Sequence, residues 1–132
     1  MNELSQQPAD KTQAVLYEIS QALAQLLKTG ENRTLFIDKM SLSPQDRQEI
    51  RDTLGEGAIR IQLTNTAEPA EWLESGISGV WYGVFYDQRR NPLLETIEVA
   101  YYPPIAAAQQ EDMIQGAEDL QQRIQERKSS DE

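Results

Sequence analysis

Three features of the sequence predict an α+β fold: an antiparallel sheet of about four strands with helices packed on one face. "AIRIQLTN" alternates, with Ile59, Ile61 and Leu63 on one side and Arg60, Gln62 and Thr64 on the other. That is a strand with one dry and one wet face. Val80–Tyr86 and Leu93–Tyr102, separated by the polar run Asp87–Asn91, read as a β-hairpin. Flanking segments repeat apolar residues at helical spacing, and helices beside an antiparallel sheet define this class. A chain of 132 residues suits a single domain, 1–132.

The first helix is predicted from about Lys11 to Thr29. Asp10 caps it, Gln13 stands where a capping box would close, and Val15, Leu16, Ile19, Leu23, Leu26 and Leu27 form its stripe. Gly30 suits its C-terminal stop. "RTLFIDKMSL" is either a short strand or an extended connector. In "SLSPQDRQEIRDTLGEG", Ser43 caps a second helix, Pro44 takes its first position and Asp46 meets the positive end of its dipole. Ile50 and Leu54 face inward, and Gly55 ends it.

"TAEPAEWLES" is read as a less regular strand around Trp72 and Leu73, with Pro69 confining it to a strand start or an edge. On the returning hairpin strand, Leu93, Ile97, Val99 and Tyr101, with Glu95, are expected to pack inward. Leu94, Thr96, Glu98, Ala100 and Tyr102 form the opposite set. Pro103 and Pro104 stop the sheet. Met113, Ala117, Leu120 and Ile124 mark a last helix, weakened by Gly116, and residues 128–132, "KSSDE", are expected to fray.

Composition narrows function. The net charge of −10 disfavours nucleic acid, no apolar run reaches the ~20 residues of a membrane span, and "MNELSQQPADK" has no signal-peptide character. A cytoplasmic protein is expected. With no Cys and no His, disulfides, thiolate nucleophiles and the usual zinc and iron–sulfur ligation by the chain drop out. The side chain best suited to acid–base work near neutrality is missing too. No cofactor is expected, and a non-enzymatic role is favoured.

Seven of the nine aromatic residues lie between Trp72 and Tyr102. Most are expected to be core, but helices on one face alone would leave some of them at the surface. Exposed rings beside arginines are the residue types enriched at protein interfaces. The candidate protein-binding residues are therefore Glu74, Gly79, Trp81, Tyr82, Arg89, Arg90 and Glu98. Glu98 is either solvated or accepts hydrogen bonds from a partner or nearby backbone. Glu74 and Glu98 also admit a carboxylate site for a small molecule or divalent cation.

The residues then resemble a family. "LFIDKMSLSPQDRQEIRDTLGEG" resembles the I-D-x-x-x-L-[ST]-x-x-D-R stretch, closed by L-G-x-G, of hydrogenase expression/formation proteins of the HupH/HyaF type. "ESGISGVW" is similar to their E-T-x-x-x-G-V-W, with Ser75 in the Thr position, and "IEVAYYPPI" to I-E-V-x-x-[IVL]-P. The motifs fall on Asp38, Asp46, Arg47, Leu54, Gly55 and Gly57, then on Glu74, Gly79, Val80, Trp81, Glu98, Val99 and Pro104. The resemblance implies the C-terminal domain of an accessory protein for NiFe uptake hydrogenase maturation. It implies as partner the iron–sulfur small subunit or another maturation protein. A standalone interaction module for another redox or regulatory protein is the alternative, and oligomeric state is left open.

Overall fold

The computed structural model describes residues 10–131. Residues 1–9, read above for signal character, and Glu132, at the end of the tail expected to fray, lie outside them. The described chain runs α1 (Lys11–Thr29), β1 (Arg33–Phe36), a 3-10 turn (Ile37–Lys39), α2 (Pro44–Leu54), β2 (Arg60–Leu63), β3 (Ala70–Glu74), β4 (Val80–Tyr86), β5 (Pro92–Val99), a second 3-10 turn (Pro104–Ala106) and α3 (Gln110–Asp131). The fold is α+β, as predicted. Its one sheet has the order β1-β5-β4-β3-β2, antiparallel throughout.

The sheet has five strands rather than about four. The ambiguous "RTLF" segment is β1, recruited because β5 presents a free edge and Leu35 pairs with Ile97. Leu35, Ile97, Tyr82 and Leu73 form one cross-strand row. That row belongs to the main core, where Val15, Ile19, Ala22 and Leu26 of α1 and Ile50 and Leu54 of α2 cover the sheet.

Helix punctuation follows the sequence. Asp10 accepts from the Gln13 backbone N–H, and left-handed Gly30 closes α1 with its N–H on the Leu26 carbonyl. Around α2 the capping box is complete, with Ser43 and Asp46 each accepting from the other's backbone N–H. Burial pushes in the opposite sense but loses, so the Asp46 carboxyl is held below its ordinary range, chiefly by the Ser43 N–H.

Three expectations need correction. β5 ends at Val99, not Tyr102: the Ala100 N–H bonds the Gly79 carbonyl, and Tyr101 and Tyr102 turn outward into solvent. Leu93 and Tyr101, expected inside, are exposed, while Ile97 and Val99 are buried. The irregular register at Phe85/Tyr86 breaks strict alternation near the hairpin turn. Finally, α3 continues through Asp131, past the expected stop at Arg127, and none of its described side chains is buried.

Candidate functional site

The sheet face turned away from α1 and α2 was expected to hold surface rings. It instead carries a second core of Ala70, Trp72 and Trp81, with Ile61, Leu63 and Phe85 packed around them. Trp81 and Tyr82, predicted as contact residues, are interior, at 2% and 5% exposure. Trp72 meets Phe85 edge-to-face, with centroids 5.5 Å apart, a favoured geometry for rings. Of the seven clustered rings, Tyr101 and Tyr102 are exposed, and outside the cluster Tyr17 and Phe36 are exposed as well.

Glu98 sits in this second core, 8% exposed, so the solvated reading is wrong. Its Oε2 accepts from Trp72 Nε1 at 2.5 Å and from Thr96 Oγ1 at 3.2 Å. A buried carboxylate needs such donors, because leaving it unpaired would cost several kcal/mol. The Trp72 indole reaches it by crossing over β4 at Gly83, which pairs with both Trp72 and Thr96. A Cβ at Gly83 would lie 2.9 Å from Glu98 Oε2 and 3.1 Å from Trp72 Nε1, and closer still to Thr96 Oγ1. The missing side chain is what lets the bond form.

Glu74 has a different task. Its Oε2 accepts from the Gly79 N–H at 3.1 Å, closing the loop into β4. Its carbonyl accepts from the Gly57 N–H at 2.7 Å. The "LGEG" and "ESGISGVW" motifs thus dock on each other. A Cβ on Gly76 would lie 2.7 Å from the Leu54 carbonyl oxygen, and one on Gly57 2.6 Å from that of Ser75. Tyr82 reinforces the junction by donating its hydroxyl to the Gly55 carbonyl at 2.7 Å. Burial raises that hydroxyl's pKa.

A third cluster joins Asp38, Arg47 and Glu95. Arg47 holds Glu95 at 2.6 Å and Asp38 at 3.2 Å, and Asp38 accepts from the Glu95 backbone N–H at 2.8 Å. It borders a cleft of about 90 Å³ between α2 and β4–β5, floored by Ile37, Ile50 and Ile97. Arg51 lies on its rim, with its guanidinium 4.3 Å above the Tyr82 ring. Sites for small molecules span ~300–1,000 Å³, so this cleft suits one side chain of a partner. Sequence reasoning missed it, although Arg47 and Arg51 stand one turn apart on a helix face.

The predicted residues therefore divide. Glu74, Gly79, Trp81 and Glu98 gather at one end of the hairpin, where Trp81 pairs with both Glu74 and Glu98 across the strands. Tyr82 turns to the opposite face, under α2. Arg89 and Arg90 are exposed in the turn at the hairpin's other end. There Asp87 Oδ1 accepts from the Arg89 and Asn91 N–H groups. The Asn91 backbone N–H is the largest influence lowering the Asp87 pKa; burial opposes it, and the Asn91 side-chain amide and the Arg89 N–H add to it. Glu74 and Glu98 keep separate donors, and among the described residues no group of three or more His, Cys, Asp or Glu is placed to hold a metal ion. No helix of the described chain is long and apolar enough to cross a membrane.

This arrangement of interlocked motif loops on a five-stranded antiparallel sheet has relatives. Residues 10–127 match the family described as HupH hydrogenase expression protein, C-terminal conserved region, and the chain belongs to that family. It is similar to the hydrogenase expression/formation protein HoxQ of Azotobacter vinelandii, 29% identical over 91 residues, covering 63% of this chain and 29% of that protein. It is also similar to the hydrogenase expression/formation protein HupH of Rhizobium leguminosarum bv. viciae, 29% identical over 99 residues, covering 74% of this chain and 34% of that one. The chain thus spans about a third of the length of these relatives. The solved structure of the hydrogenase expression protein HupH from Thiobacillus denitrificans ATCC 25259 superposes with a TM-score of 0.80. The identity is 26%, over 87% of this chain and 95% of that one.

Proposed function

We propose that this protein is a non-catalytic accessory factor in hydrogenase maturation that works by binding another polypeptide, the immature iron–sulfur small subunit of a NiFe uptake hydrogenase. Family membership over residues 10–127 supports the maturation role. The absence of Cys and His from the sequence supports action on a metalloprotein through its polypeptide rather than through a metal held by this chain.

The observation that carries the binding reading is the cleft between α2 and the hairpin. Arg47 and Arg51 line it together with Val84 and Glu95, and β4 and β5 lead from that pair to the exposed Arg89–Arg90 turn. Asp38 and Glu95 already hold Arg47, which leaves Arg51 at the cleft and Arg89 and Arg90 in the turn as exposed cations in a chain whose net charge is −10. These cations and the apolar notch suit an acidic segment with one apolar anchor. Arg89 and Arg90 remain contact residues in this reading. Glu74, Gly79, Trp81, Tyr82 and Glu98 serve by fixing the shape of the sheet beneath.

Capture of purified, immature small subunit by the immobilised chain tests this. Arg51→Glu, at an exposed position, is expected to weaken capture at least tenfold, with a melt lowered by only a few degrees through loss of its contact with the Tyr82 ring, and Arg89→Glu with Arg90→Glu to weaken capture further while melting as wild type. Undiminished capture by all three substitutions combined would overturn the assignment of this surface. Failure of the wild-type chain to capture the subunit would overturn the choice of partner.

A further inference from the structure

We propose that α3 is a self-association element, pairing antiparallel with the α3 of a second copy of this chain. Met113, Ala117, Leu120 and Ile124 recur at alternating steps of four and three residues, the spacing of a coiled-coil seam. Such a stripe ordinarily seals a helix onto its own domain. Here Met113, Leu120 and Ile124 are 60%, 58% and 39% exposed, and no described α3 side chain is buried. A 22-residue helix carries an apolar seam that the described residues leave uncovered.

Charge selects the occupant and its direction. The first half of α3 carries Glu111, Asp112, Glu118 and Asp119 without a basic residue, whereas the second half carries Arg123, Arg127 and Lys128 against Glu126 before its terminal Asp131. A parallel pair would set acid beside acid. An antiparallel pair sets the acidic half of each copy beside the basic half of the other and brings Met113 opposite Ile124. The contact is isologous, as a two-fold dimer requires. Gly116 fits the same picture. Mid-helix glycine disfavours the helix by about 1 kcal/mol relative to alanine. Among the described residues nothing lies within 4 Å of where its Cβ would stand, so it leaves room for a second helix to approach the seam.

Four seam residues over about three helical turns bury less than the ~800 Å² per partner of a lasting interface, so the dimer is weak and concentration-dependent. Sedimentation of the 132-residue chain from low micromolar to several hundred micromolar should show the average mass climbing from 15.0 kDa toward twice that value. Leu120→Glu with Ile124→Glu should hold it at the monomer mass with an unchanged melt, since neither side chain is buried. Orientation is read by oxidising a mixture of Met113→Cys and Ile124→Cys chains, which works cleanly because the native chain has no Cys. The mixed cross-link should exceed either self-link several-fold. A wild-type chain that stays monomeric, or a dimer indifferent to the two glutamates, would overturn the proposal. Dominant self-links would overturn the antiparallel pairing. None of these outcomes depends on capture of a hydrogenase subunit.

Discussion

Gly83 is the residue on which the second core turns. It is the one position where the Trp72 indole can cross β4 to reach Glu98, and a methyl group there would meet Thr96, Glu98 and Trp72 together. Overpacking a core ordinarily costs about 1–3 kcal/mol, and displacing Trp72 from a buried carboxylate adds an unsatisfied acceptor worth about 1–3 kcal/mol. Gly83→Ala is therefore expected to destabilise by roughly 2–4 kcal/mol in denaturant titrations, lowering the melting temperature by on the order of 10 °C. A melt within a degree or two of wild type would mean that the Trp72–Glu98 bond is not a structural constraint. Part of this was legible beforehand: alternation correctly turned Glu98 away from Ile97 and Val99. Its burial was not, because that depends on a tryptophan two strands away in the sheet, and strand periodicity says nothing about diagonal reach.

Among the elements, α2 shows how local chemistry becomes readable. Ser43, Pro44, Asp46 and Gly55 each satisfy a terminal requirement within a few residues, so the sequence specified both ends and the structure has them there. β1 was ambiguous for the converse reason: four residues become a strand only because β5 offers an edge to pair with. The Asp46 half of the capping box also gives a pH signature. Its carboxyl pKa is depressed in the folded protein, so its contribution is present above the unfolded-state value near ~3.9 and is lost as pH falls through the lower, folded value. Asp46→Asn should thus be less stable than wild type at neutral pH, with the gap in denaturation midpoint closing progressively below about pH 4. A gap that is constant from neutrality to strong acid would show that the ionised carboxylate contributes nothing to the cap.

At the scale of the whole molecule, the three sequence motifs turn out to be mainly architectural. "LGEG" and "ESGISGVW" interlock through Gly57, Glu74 and Gly76, and Asp38 and Arg47 tie the first motif to β5. What the sequence alone could not separate was signature residues that shape a surface from those that present one, since both leave the same pattern of fixed residue types. The same scale distinguishes the body from α3. Both cores are built from residues preceding α3, while none of the described α3 side chains is buried. Ending the chain at residue 108 deletes the whole of α3 yet no part of either core. The shortened chain is expected to melt within a few degrees of the full chain in dilute solution, where dimer is scarce, because hydrophobic burial supplies the dominant stabilising term. At several hundred micromolar the full chain should melt higher than the shortened one, since association with the native state alone raises apparent stability with concentration. A shortened chain that unfolds in dilute solution would assign α3 to the body; equal melts at every concentration would leave the helix no role in association.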